Sequence, residues 1–223
     1  MGYRLGDKEI KLTGKRMTKI GTGVTGDVYK YKNNALKIFK DNKEIPIDLE
    51  TAQYLSQITT HRILLPKNLL FYNNSFKGYS YKLVSKKGLG KRILTIPSEN
   101  LTEEISIIEK DIERLSTKKV LLNGIEPSNI IFNGKLYLAD PSKYSVLDLY
   151  STQDLEVLNK YQLHLLLTTM ITSEIRKNNF GSKIEKEIKE LLEIKDTTDN
   201  CSDFIRDIIG NNDNMKQLIK KMQ

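Results

Sequence analysis

Three glycines in the stretch KIGTGVTGDVYKYKNNALKIFK, residues 19–40, stand at the spacing G-x-G-x-x-G: Gly21, Gly23 and Gly26. The chemistry that such a triad permits is phosphate binding, because without a Cβ the backbone N–H groups can come close to phosphate oxygens. The triad alone is a weak signal, and its flanks discriminate between readings. Gly21 and Gly26 have the spacing of a G-x-x-x-x-G-K-[ST] loop, but Asp27-Val28 stand where that loop needs its lysine and hydroxyl. A dinucleotide fingerprint needs a helix after the glycines. The residues beyond Gly26 include Val28, then alternating Tyr29 and Tyr31, then Asn33-Asn34, a pattern that reads as a hairpin. A merely glycine-rich hairpin would leave Lys37 without a reason.

The remaining reading fits throughout: strand, glycine turn, Val28 two residues past the last glycine, hairpin, then A-x-K at Ala35 and Lys37 on the next strand. A second motif lies in the later half of the chain, EPSNIIF at 126–132 and KLYLADPSK at 135–143. Together, over about residues 19–171, these segments resemble the eukaryotic-type protein kinase superfamily. The first is similar to that family's K-P-x-N-I-L, the second to its K-x-x-D-F-G strand and turn. The resemblance implies an α+β, two-lobed kinase-like fold, with a β-rich N-terminal lobe containing one helix and a reduced helical C-terminal lobe. It implies ATP as ligand, with Lys37 on the α/β-phosphates and an acidic partner for Lys37 on the nearby helix, Glu50, with Glu44 as the alternative. Val28 and Ala35 would lie on the two faces of the adenine. Asn129 and Asp140 would hold Mg²⁺, with Mn²⁺ as the substitute, since a hard cation takes carboxylate, amide, phosphate and water oxygens.

Three departures from the family pattern decide what activity to expect. The H-R-D triplet is replaced by Leu122-Asn123-Gly124, so the residue expected to be the catalytic base is a glycine. A general base contributes about 10²–10⁴-fold, whereas phosphoryl transfer depends mostly on positioning and charge neutralisation; a chain without the base is weakened rather than silenced on principle. Asn123 and Glu126 are the polar neighbours available as substitutes, and Glu126 also reads as an ordinary exposed loop acid. LNKYQLHLLLTTMI, 158–171, resembles the core helix that begins D-x-x-S-x-G, with Asn159 at the Asp position. Only nineteen residues separate Asp140 from Asn159, too few for a full activation segment. The expected function is therefore an atypical Mg-ATP-dependent transferase, moving phosphoryl or nucleotidyl to an unknown acceptor. The alternative is a pseudokinase, a nucleotide-binding regulatory or scaffold module for a protein partner.

The elements that must position these residues are legible as two textures. Residues 10–84 are rich in β-branched and aromatic residues with Asn and Gly turns; 67–84 reads as two strands joined at Asn73-Asn74, and Leu49, Ala52, Tyr54 and Leu55 fit a short helix within 45–58. From residue 98 onward the texture is helical. Asn100 and Glu103 have the form of a capping box, with the stripe Ile105, Ile108, Ile112 and Leu115 beyond it. Short strands at 130–132 and 136–138 flank an Asn133-Gly134 turn, and a long helix covers 154–174. Ser182 and Glu185 form a second box, and two shorter helices lie near 202–209 and 213–222. KKGLG, 86–90, is the expected hinge, which makes 1–85 the first lobe and 91–223 the second.

Composition supplies the bounds. With 223 residues, 39% of them hydrophobic, the chain can bury a core, and 29% charged residues without long polar runs argue against global disorder. No apolar run approaches the ~18 residues of a membrane span, so no membrane partner is expected. A net charge of +8 could serve an acidic partner, but the lysines are dispersed rather than clustered, which disfavours nucleic acid. The single cysteine, Cys201, points to a reducing compartment, the cytoplasm. His61 and His164 stand alone, without partners at metal-ligand spacing.

Overall fold

The computed structural model describes residues 2–12, 17–41, 46–84, 93–193 and 200–222. The chain is α+β, with a mainly antiparallel set of strands and six α-helices among the described residues. It divides into two compact units: residues 1–60, 64–85 and 140–144 form the first, and 61–63, 86–139 and 145–223 the second. The exchange of 61–63 and 140–144 between units is absent from the boundary that the sequence textures suggest. The expected hinge, 86–90, lies outside the described residues, as does Glu44.

The first unit is a seven-stranded sheet and one helix. Its strands are β1 (Tyr3–Leu5), β2 (Lys8–Ile10), β3 (Met17–Thr22), β4 (Gly26–Tyr31), β5 (Asn34–Phe39), β6 (Asn68–Tyr72) and β7 (Ser75–Lys82), in the order β2-β1-β6-β7-β5-β4-β3. Every pairing in it is antiparallel. Asn73 and Asn74 join β6 to β7 with φ of 48° and 65°, the left-handed pair that a two-residue hairpin turn needs and Asn tolerates. One sheet face carries a core of Tyr31, Leu36 and Leu70, against which Tyr3, Leu5, Ile10 and Ile38 pack. Because side chains alternate along a strand, Ala35, Lys37 and Phe39 occupy the other face of β5. Helix α1 (Leu49–Leu55) starts at Asp48, whose carboxylate accepts the Thr51 N–H at 2.7 Å, and it buries Ala52 and Leu55.

In the second unit, α2 (Ser98–Thr117) and α3 (Thr152–Lys177) pack together, α2 against α5 (Cys201–Ile209), and α3 against α4 (Ser182–Leu191); α6 (Met215–Met222) ends the chain. The α2 stripe Ile105, Ile108, Ile112 and Leu115 is fully buried, as helical spacing requires of a core-facing row. Two small two-stranded antiparallel sheets complete the unit: β8 (Val120–Leu121) with β11 (Ser145–Val146), and the hairpin of β9 (Ile130–Phe132) with β10 (Leu136–Leu138).

Both expected capping boxes are corrected. α2 begins two residues before Asn100, after Pro97, so Asn100 and Glu103 lie inside it. Gly181, not Ser182, precedes α4, and Glu185 instead takes an ion pair from Arg176. The reciprocal box that does form is Ser151 with Asp154 at the start of α3. Its third residue is Asp rather than the Glu or Gln that a sequence reader looks for.

Buried polar side chains tie loops to these helices. Asp111 on α2 is fully buried and accepts the backbone N–H groups of His61, Arg62 and Ile63 at 2.6–3.2 Å. Glu109, two residues earlier on α2, accepts the Cys201 N–H and the Ser202 hydroxyl at the start of α5. Burial raises the Glu109 carboxyl above its usual range despite those bonds, and it pushes the Cys201 thiol up to about 12, so that thiol is inert. Replacing Asp111 with Ala would strand three backbone donors, of which the Ile63 N–H belongs to a buried residue. Asp111→Ala is expected to cost about 2–4 kcal/mol of unfolding free energy, read from the urea midpoint at unchanged slope.

Candidate functional site

The first unit brings the glycine triad, Val28, Ala35, Lys37 and Asp140 into one body. β3 and β4 flank the turn, in which the Gly23 N–H donates to the Gly26 carbonyl at 2.8 Å. Gly26 is buried where β4 pairs with β5, and a Cβ added there would lie 2.6 Å from the Ile38 carbonyl oxygen. One at Gly21 would meet only ordinary contact, and one at Gly23 would be slightly tight. Of the three glycines, Gly26 is the one that the strand pairing itself demands.

Lys37 lies on β5 between Val28 of β4 and Tyr79 of β7, its cross-strand neighbours on the same face. Its side chain is 3% exposed. The close crossing of β7 repeats the constraint seen at Gly26: a Cβ on Gly78 would fall 2.0 Å from the Lys37 carbonyl oxygen. The Lys37 ammonium donates to Asp140 Oδ1 at 2.5 Å and to Ser142 Oγ at 3.2 Å. Glu50, the expected partner, stands exposed in the first turn of α1, and no ion pair among the described residues engages it. The partner in this structure is Asp140 instead, 103 residues away in sequence.

Asp140 sits at φ +65°, a left-handed conformation that Asp tolerates better than most residues. Its carboxylate accepts the Ser142 N–H at 3.3 Å, and Pro141 opens a 3₁₀ turn over 141–143. The Ser142 hydroxyl donates at 2.5 Å and the Tyr79 hydroxyl at 3.3 Å, both to Oδ1. The bonds from Lys37, Tyr79 and Ser142 thus converge on one oxygen. A third of the side chain is exposed, so the carboxylate is still reachable by a cation.

The electrostatics result from burial. Burial works to raise the Asp140 carboxyl, but the Lys37 charge and the bonds from Lys37 and Ser142 outweigh it, leaving the group below the usual carboxylate range. Burial lowers the Lys37 amine, and the attraction of Asp140 only partly compensates. Burial first, then the Asp140 charge, drives the Tyr79, Tyr81 and Tyr144 hydroxyls well above their ordinary value, so they remain neutral donors. The Tyr144 hydroxyl is buried without a hydrogen-bond partner among the described residues. Ser142 and the three tyrosines are not legible as site residues in the sequence. For Tyr79 and Tyr81 the available signal is register, since they lie opposite Lys37 and Ala35.

The other residues singled out belong to the second unit. Asn129 ends a 3₁₀ turn that starts at Pro127; its N–H donates to the Glu126 carbonyl, and its own carbonyl accepts the Ala139 N–H, both at 2.8 Å. Glu126 is exposed, and the Asn123 amide donates to Ser145 Oγ at 3.1 Å. Gly124 has φ +63°, so the position expected to carry the base is held by a left-handed backbone that favours glycine. Asn159 is fully buried on α3 and anchors the approach to that loop. Its Oδ1 accepts the Leu122 N–H at 2.7 Å, while its Nδ2 donates to the Val120 carbonyl and to Ser116 Oγ. His61 is largely exposed beside Asp111. The buried His164 bonds the Leu192 carbonyl at 2.9 Å, and burial lowers its basicity, which keeps it neutral.

Among the described residues no three His, Cys, Asp or Glu side chains cluster as a metal cage, and no helix is long and apolar enough to cross a membrane. A scan against protein-family models gives no match, and a search of curated proteins gives none either.

Two measurements check this geometry. Gly26→Ala is expected to lower stability by about 1–3 kcal/mol through overpacking, while Gly21→Ala leaves thermal unfolding nearly unchanged. The lowered Asp140 carboxyl contributes stability that is present above the ordinary carboxylate pKa and is lost as pH falls through its folded value. Wild type should therefore lose stability on acidification more steeply than Asp140→Asn, as pH-dependent urea titrations would record.

Proposed function

We propose that the chain is a kinase-like Mg-ATP-binding protein with a two-lobed, divergent kinase fold, acting as an atypical ATP-dependent transferase. The observation that carries the reading is the pairing of buried Lys37 with partly exposed Asp140 on the sheet face next to the glycine turn. A buried ammonium and a partly exposed carboxylate in contact are the two groups that a metal-bound triphosphate needs, one for its oxygens and one for its cation. Lys37 exchanges part of its bond to Asp140 for α/β-phosphate oxygens. Asp140 would hold Mg²⁺, or Mn²⁺, which when bound would neutralise phosphate charge. A single protein carboxylate suits Mg²⁺, which is commonly held by one or two carboxylates with the rest of its shell from phosphates and water. The glycine turn brings backbone N–H groups to the phosphates, and Val28 and Ala35 flank the base. Asn129 enters as a second metal ligand through the motif alone.

The pseudokinase reading has its own support. Gly124 supplies no base, and its left-handed backbone favours the glycine that stands there. Ala35 is 2% exposed, so its side chain is not open to a base in the present state.

Mg-ATP at about 100 times its Kd should raise stability by ~2.7 kcal/mol in a thermal-shift titration, and Asp140→Ala should abolish the metal-dependent part. No shift in the wild type, with or without metal, sinks both readings. Incubation with γ- and α-labelled ATP then separates them: label on protein or lysate, lost in Asp140→Ala, marks a transferase, and binding without turnover marks the pseudokinase.

A further inference from the structure

The glycine turn is attended by three lysines of the first unit, and their partners differ. Lys19 pairs with Asp27 at 2.8 Å and Lys37 with Asp140 at 2.5 Å. Lys40, the residue immediately after β5, forms no ion pair among the described residues. Its ammonium donates to the Gly23 carbonyl at 2.7 Å, and its backbone N–H donates to the Thr25 carbonyl at 3.1 Å. The odd cation of the three is thus held on the tip of the turn by a neutral acceptor belonging to the turn. Asp27 and Asp140 are each engaged by another lysine.

A charge-assisted hydrogen bond to an anionic oxygen is roughly twice as strong as one to a neutral acceptor. A phosphate oxygen arriving at the turn is therefore a better partner for Lys40 than the carbonyl it now holds. The side chain has the means to move, with a flexible four-carbon stem and three donors on a compact charge. We propose that Lys40 is a phosphate-contacting residue, whose ammonium exchanges the Gly23 carbonyl for an oxygen of a bound nucleoside triphosphate. The inference rests on the nucleotide reading above and adds a second lysine to it. The same exchange releases the Gly23 carbonyl, so ligand binding and turn geometry are coupled through one side chain. Asp27 feels the same cation: the Lys19 bond chiefly lowers its carboxyl, with a smaller pull from Lys40.

The experiment compares Mg-ATP and adenosine affinities, by competition with a fluorescent nucleotide at two salt concentrations, for wild type, Lys40→Met and Lys40→Arg. The expected result is about tenfold weaker ATP binding in Lys40→Met, unchanged adenosine affinity, a shallower salt dependence, and recovery in Lys40→Arg. A lysine that merely staples the turn would weaken both ligands alike, or neither, and either outcome overturns the proposal. Wild type that binds neither ligand overturns the nucleotide reading and this inference with it. Wild type that binds ATP, with Lys40→Met indistinguishable from it, overturns this inference alone.

Discussion

A lysine ammonium that is 3% exposed is tolerable only if something charged meets it. In this chain that requirement falls on Asp140, and much of the first unit is arranged around it. β5 places Lys37 on the face opposite the Tyr31–Leu36–Leu70 core. β7 supplies a tyrosine hydroxyl to the same carboxylate oxygen, and Ser142 supplies another. The short segment 140–144 groups with the sheet although its sequence neighbours belong to the other unit. A buried ion pair is weak evidence for stability, because desolvation offsets much of the attraction.

The second unit obeys a different rule. Its loops are held by single buried polar side chains on helices, each bonded to backbone groups. Asp111 gathers the N–H groups of 61–63, Glu109 caps α5, and Asn159 holds the strand that leads to Gly124. A charge in this role titrates; an amide does not. Asn159 also both accepts and donates, which a carboxylate could not do toward the Val120 carbonyl.

What is legible in the sequence is what local physics dictates. Alternation and turn residues give the hairpins at Asn73-Asn74 and Asn133-Gly134, and helical spacing gives the buried α2 stripe. The glycine turn and Lys37 lie on the strands assigned to them. Helix starts are easily misread because a box pattern such as Asn100/Glu103 is short, and Pro97 and Gly181 set the boundaries instead. The partner of Lys37 is out of reach for a different reason. Several carboxylates satisfy the chemistry, and only the three-dimensional path of the chain selects one 103 residues away over the nearby Glu50. Ser142 and the tyrosines are hidden likewise, since their roles depend on a register that no single segment encodes.

The tight strand crossings leave an imprint on what related chains can look like. At Gly26 and Gly78 the neighbouring backbone occupies the space of a side chain, on the two sides of Lys37. Gly21 and Gly23, where an added Cβ meets little, are free to drift, but these two cannot be exchanged without moving the lysine. A distant homologue that has lost every familiar signature should still betray itself by a glycine eleven residues before a buried lysine and another forty-one after it.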